Sequence, residues 1–226
     1  MKIGIICAMD EEIRVLRENL EKPERQTRFG WIFETGSIGR HEVVLVQSGI
    51  GKVMSALAVS FLSEIFEVDA IINSGSAGAV DGSLRIGDIV IADRLAYHDV
   101  DVTAFGYEFG QMAQQPLYYE SSKYFVSELR KVMAEPIVGL ITSSDSFIAS
   151  PEKIAEIKSY FPDDLAVEME GASIAQAAAA LKKPFVVIRA ISDTASHDAN
   201  VKFDEFIVEA GRKSAEILIK MLKHMV

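Results

Sequence analysis

Short apolar runs rich in β-branched residues alternate with helix-patterned segments from one end of this chain to the other. That alternation constrains the fold more than any other feature, because parallel strands need long crossovers and crossover helices bury both faces of a sheet. Strands are predicted near residues 2–7, 31–35, 42–47, 70–74, 88–92, 137–142, 165–168 and 185–190. Helices are predicted over 11–19, 52–66, 122–133, 151–159, 171–181 and 203–224, the fourth opened by the N-cap and first-turn pair Ser150-Pro151. The expected fold class is α/β: a three-layer α/β/α sandwich with a central mixed, mostly parallel twisted sheet. The runs at 31–35 and 42–47 flank Gly36-Ser37-Ile38-Gly39 and read as an antiparallel hairpin.

A chain of 226 residues, 49% hydrophobic, can bury one substantial core. No repeat, low-complexity tract or flexible linker divides it, so a single domain over 1–226 is expected. The segment 95–120 is rich in aromatics and Gln without a clear period, and loops that long inside compact domains tend to be functional. With 33 acidic against 23 basic side chains the net charge is −10, which argues against nucleic acid and membrane surfaces as partners. Cys7 is the sole cysteine, and the short apolar N-terminal stretch runs straight into Asp10-Glu11-Glu12, unlike a signal peptide. A cytoplasmic location is therefore expected. No apolar run approaches transmembrane length.

In open α/β sheets ligands bind beyond the carboxyl ends of the strands. Five segments fall there: Met9 to Glu12, Gly75-Ser76-Ala77-Gly78, Ser146-Phe147-Ile148, Glu168-Met169-Glu170 and Ser192-Asp193. Glu11 and Glu12 open a helix, whose dipole favours acidic groups with or without a chemical role. Gly75 to Gly78 reads as a turn that either cradles an anion or is simply tight, and it lacks the GxGxxG spacing of a dinucleotide site. Strand alternation sends Glu168 and Glu170 to one side, where they form either an exposed strand end or a pair satisfied by donors or a ligand. Asp193 ends the most apolar strand, placed to serve as a proton donor or as the N-cap of a following turn. Together these residues offer a general acid, a second carboxylate, a carboxylate able to bind a diol, and apolar groups at Met9, Ile50, Phe147, Met169 and Phe203. Such a set suits glycosidic cleavage through an oxocarbenium-like transition state. His41, His98, His197 and His224 show no ligand spacing, so neither a metal nor another cofactor is expected.

Nearly end to end, the chain resembles the bacterial 5'-methylthioadenosine/S-adenosylhomocysteine nucleosidase family within the purine nucleoside phosphorylase superfamily. The matching segments include Ala8-Met9-Asp10-Glu11-Glu12, Ser48-Gly49-Ile50-Gly51-Lys52, Asn73-Ser74-Gly75-Ser76-Ala77-Gly78, Thr103-Ala104-Phe105-Gly106-Tyr107, Val167-Glu168-Met169-Glu170 and Arg189-Ala190-Ile191-Ser192-Asp193. The resemblance implies hydrolysis of 5'-methylthioadenosine and S-adenosylhomocysteine to adenine plus methylthioribose or S-ribosylhomocysteine. It implies that Asp193 protonates adenine N7 beside Ser192, and that Glu12 activates water with support from Glu168 and Arg189. Glu170 would grip the ribose hydroxyls and Met169 would pack on the sugar. Phe147 would stack on adenine, the Ile148 backbone would read its polar edge, and Ser76, Ala77 and Gly78 would lie alongside. Met9, Ile50 and Phe203 would line a 5'-alkylthio pocket, closed in a homodimer by Phe105 of the other copy. Two departures from the family pattern are Cys7, where a glycine is expected, and Ala113, where proline is common. A phosphorolytic enzyme of the same fold and a non-catalytic nucleoside sensor are the competing readings. The acidic first loop and the absence of an arginine after Gly78 disfavour the first.

Overall fold

Ile3, Ile5 and Cys7 pack into one apolar cluster while their neighbour Ile6 packs into another, so the first strand must lie between two dry layers. A computed structural model of the chain describes residues 1–194 and 199–225. Its strands are β1 (Lys2–Cys7), β2 (Glu21–Arg28), β3 (Trp31–Ile38), β4 (His41–Gln47), β5 (Ala70–Ala79), β6 (Ile89–Tyr97), β7 (Tyr119–Glu120), β8 (Ile137–Ser143), β9 (Asp164–Glu168) and β10 (Phe185–Asp193). The helices are α1 (Asp10–Glu18), α2 (Lys52–Glu64), α3 (Lys123–Val132), α4 (Pro151–Tyr160), α5 (Gly171–Ala180) and α6 (Ala199–His224). This is an α/β fold with a mixed sheet. Residues of α1, α3 and α6 share one cluster, those of α2 and α5 the other, and α4 joins a third around Phe161. Among the described residues no helix is long and apolar enough to cross a membrane.

The sheet departs from a simple open one. β5 pairs in parallel with β1 and β10 and antiparallel with β9. Because β10 also pairs with β6, and β6 and β9 with β8, the pairings β5–β10–β6–β8–β9 close into a circuit, with β1, β4, β3 and β2 continuing from β5 as a flank. Three further differences from the sequence reading have local causes. Gly75 to Gly78 form no turn: they lie within β5, held by pairing to β10. The β3–β4 turn is Gly39-Arg40, since Ile38 pairs with His41 and Gly39 takes the positive φ of 62° that a two-residue hairpin requires. β2 carries the polar sequence EKPERQTR and pairs only with β3, so it has the charge and proline of an edge strand and no apolar signature.

Candidate active site

The ends of β1, β5, β8, β9 and β10 converge because the register aligns them: Ile6 lies beside Asn73, Arg189 beside Gly75, Asp193 beside Gly78, and Ser143 beside Glu168. Beyond them opens a cavity of ≈350 Å³. Its polar wall is built from Glu12, Ser76, Glu168, Glu170, Ser192 and Asp193, and its apolar wall from Met9, Ile50, Phe147, Ile148, Met169 and Phe203.

Glu12 is buried at the start of α1, and both its oxygens are engaged. Oε2 accepts from the backbone N–H of Ala8 (3.0 Å) and Met9 (3.2 Å), and Oε1 accepts from the N–H (2.9 Å) and hydroxyl (3.0 Å) of Ser76. Glu12 thus serves the start of the helix with one oxygen and faces β5 with the other.

Glu168 ends β9 and accepts from Ser143 Oγ, from the N–H groups of Glu170 (3.0 Å) and Gly171 (2.8 Å), and from Arg189. Arg189 is 0% exposed, and its Nη2 also donates to Asn73 Oδ1 (2.7 Å) and reaches Glu170 Oε2 at 3.4 Å. Burial works against its charge, but Glu168, Glu170 and Glu12 more than offset that and keep the guanidinium charged. Position 75 must be glycine here, because a β-carbon would collide with Arg189 Nη1 and come within 2.7 Å of Glu12 Oε1. Ser192 Oγ donates to Asp193 Oδ2 (3.0 Å), and both residues are buried.

Burial first, then the charge of Glu168, pushes the Glu170 carboxyl up to about 8, while Arg189 and the Gly51 N–H pull the other way. Its value in an unfolded chain is ~4.3. A higher folded value means that the folded protein keeps a proton which the unfolded chain releases. The contribution to stability is therefore complete below the unfolded value and is lost as pH rises through the folded one. Between about pH 5 and pH 8 the ligand-free protein should lose several degrees of melting temperature relative to Glu170→Gln. Parallel profiles for the two proteins would eliminate Glu170 as the titrating group.

Residues 2–226 match the family model of the phosphorylase superfamily. The chain is 47% identical to the 5'-methylthioadenosine/S-adenosylhomocysteine nucleosidase of Shewanella pealeana, over 100% of both chains. The chain belongs to this nucleosidase family. Solved structures agree: the Streptococcus pneumoniae methylthioadenosine/S-adenosylhomocysteine nucleosidase in complex with 8-aminoadenine is 59% identical with a TM-score of 0.98, covering 100% of both chains. Another structure of the S. pneumoniae enzyme, holding the transition-state inhibitor MT-ImmA, is 58% identical with a TM-score of 0.97, covering 99% of both chains.

In this nucleosidase family member, most residues singled out from the sequence line the one cavity, Ala77 and Gly78 included. Two do not. Arg189 lies behind the wall, where it holds the carboxylates, and Phe105 is 81% exposed on a short 3-10 turn (Thr103–Phe105), away from the cavity lining. Glu168 and Glu170 do share partners, but not through strand alternation: β9 stops at Glu168, and Glu170 is the N-cap of α5. Asn73, Ser143 and Gly51 were given no role from sequence, although buried polar residues in apolar strands signalled the first two, and Gly75 was read only as part of a turn. Cys7 is buried in the core, where burial pushes its thiol up, and Ala113 is exposed. His41 is buried and His98 bonds Thr142 (2.9 Å), whereas His197 lies outside the described residues.

Proposed function

We propose that this cavity hydrolyses the N-glycosidic bond of 5'-methylthioadenosine and S-adenosylhomocysteine, within one domain spanning 1–226. The observation that carries this reading is the acidic lining: the buried carboxyl groups of Glu12, Glu168, Glu170 and Asp193 face the cavity, and the guanidinium of Arg189 is fully buried behind them with its Nη2 held by Glu168 and Asn73. Phosphorolysis would need cationic donors around an incoming phosphate; the lining offers none among the described residues, and its ionised carboxylates would repel it. An oxocarbenium-like transition state is positive and suits them.

In the mechanism, the C1'–N9 bond breaks with its electron pair passing into the purine, and Asp193 delivers a proton to N7 while Ser192 orients it. Water adds at C1', and its proton passes to Glu12, whose carboxylate is fixed by Ala8, Met9 and Ser76. Glu168 and Arg189 hold the surrounding charge in place. Glu170, with one oxygen fixed by the Gly51 N–H at 2.9 Å, takes the ribose hydroxyls. Met169 packs on the sugar, Phe147 stacks on adenine, and the Ile148 backbone meets the purine edge. Phe203 meets Phe147 edge to face at 5.7 Å and lines the 5' end with Met9 and Ile50. Each methylene buried there adds roughly 0.8 kcal/mol, which favours a thioether over a hydroxyl.

Methylthioadenosine should yield free methylthioribose and adenine at a rate independent of phosphate. A sugar 1-phosphate, or a rate proportional to phosphate, would refute hydrolysis. Binding of adenine without any turnover would instead favour a sensor.

The site is completed in a homodimer. Phe105, Val53, Met54 and Leu57 are large apolar side chains left exposed, which a second copy would cover. Light scattering should give twice the 24.8 kDa chain mass. Phe105→Ala should weaken 5'-alkylthio ligands more than adenine, and equal losses would separate Phe105 from the 5' group.

A further inference from the structure

α2 begins without a side-chain cap of its own, because its N-cap is Gly51 at a φ of 96°. The missing acceptor comes from another segment: the Lys52 N–H donates to Asp145 Oδ1 at 2.9 Å. The Lys52 side chain then folds over the same place. Its Nζ lies 2.7 and 2.9 Å from the two oxygens of Asp99, 3.8 Å from Asp145 Oδ2 and 5.3 Å from the centre of the Tyr97 ring. The Asp145 N–H donates to Asp99 Oδ2 at 3.1 Å, which closes the circuit.

Two ends of this circuit lead into the cavity. Asp145 is followed by Ser146, Phe147 and Ile148, and Lys52 is preceded by Gly51, whose N–H holds Glu170, and by Ile50. Stability does not account for the cluster. The side chains of Lys52, Asp99 and Asp145 are 23%, 28% and 53% exposed, and pairs that open to solvent contribute little to folding. What the three charges fix is the separation between the loop at 144–148 and the start of α2.

Resting on the functional reading above, we infer that Lys52 is a positioning residue, which through Asp99 and Asp145 sets the purine-facing loop and the Gly51–Glu170 contact in register. Misplacement of a binding loop acts on affinity, and a tenfold loss corresponds to 1.4 kcal/mol. Lys52→Met keeps the aliphatic stem and removes the charge. It should weaken adenine binding in calorimetry and raise KM for methylthioadenosine, each by about tenfold, with kcat within threefold and the melting temperature retained. Lys52→Arg should recover adenine affinity to within about threefold of the parent protein. Raising NaCl from about 0.05 to 0.5 M should weaken adenine binding by the parent protein and leave Lys52→Met unmoved. If Lys52→Met does not fold, Asp99→Asn gives the same readouts. An adenine Kd within twofold of the parent in the folded variant overturns the inference, as does a melting temperature that falls in step with affinity. Failure of the hydrolytic reading would look different, because the parent protein itself would release no adenine.

Discussion

The Asp193→Asn protein is expected to turn over methylthioadenosine at least ~10²–10⁴-fold more slowly than the parent, the range that a positioned general acid supplies. Adenine leaves poorly as an anion, so the purine must gain a proton as the glycosidic bond breaks, and an amide has none to give. The substitution is otherwise mild. An amide oxygen can still accept from Ser192 Oγ, which reaches Asp193 Oδ2 at 3.0 Å, and the residue stays paired in β10 beside Gly78. Affinity for an unreactive substrate analogue should change less than about tenfold, because the lost interaction matures only in the transition state. Turnover and analogue binding are measured on the same folded protein. Near-normal turnover removes Asp193 from the chemistry, and equal losses in both make it a purine anchor.

Arg189→Met should destabilise the ligand-free protein by about 3–5 kcal/mol, the usual consequence of removing one member of a buried ion pair. For a chain of this size that lowers the melting temperature on the order of 10 °C. Methionine fills much of the volume, so the loss is electrostatic: the buried Glu168 carboxylate is left beside Asn73 Oδ1 and Glu170 without its cation. Two secondary results follow from the same cause. Acidification should shrink the loss, since a protonated carboxyl needs no cation beside it. Glu168→Gln in the Arg189→Met background should recover part of it, as a double-mutant cycle would register. A melting shift below about 3 °C would mean that the guanidinium does not hold this site together.

Where the chain buries short apolar runs rich in branched residues, as in β1 and the first half of β10, the strands were legible from sequence alone. The same strands run on into the site, and there the pattern fades. β5 continues through Gly75, Ser76, Ala77 and Gly78, residues with little strand preference of their own, because β10 pairs with them. β2 was invisible for the opposite reason, as an edge strand of charged residues that buries almost nothing. The carboxylates Glu12, Glu168, Glu170 and Asp193 could be proposed together because each follows or ends a predicted strand. Their mutual arrangement could not, since it depends on contacts such as Ser76 to Glu12 and Gly51 to Glu170 that join distant segments. Phe105 marks a further limit. A single chain leaves it in solvent, and its expected place against a second copy came only through the family resemblance, not from any pattern of its own.

The central place of β5, between β1 and β10, bears on how this protein comes into being. Ser76 meets Glu12 across 64 residues of chain, and Arg189 meets Asn73 across 116. Loops of that length close late, because their entropy must be offset by many contacts formed at once. During synthesis the segments bearing Glu12 and Gly75 leave the ribosome well before Arg189 and Asp193, so a growing chain carries one half of the chemistry without the other. A chain interrupted before β10 lacks Arg189 and Asp193 altogether, so the two halves of the site meet only when that last strand is seated.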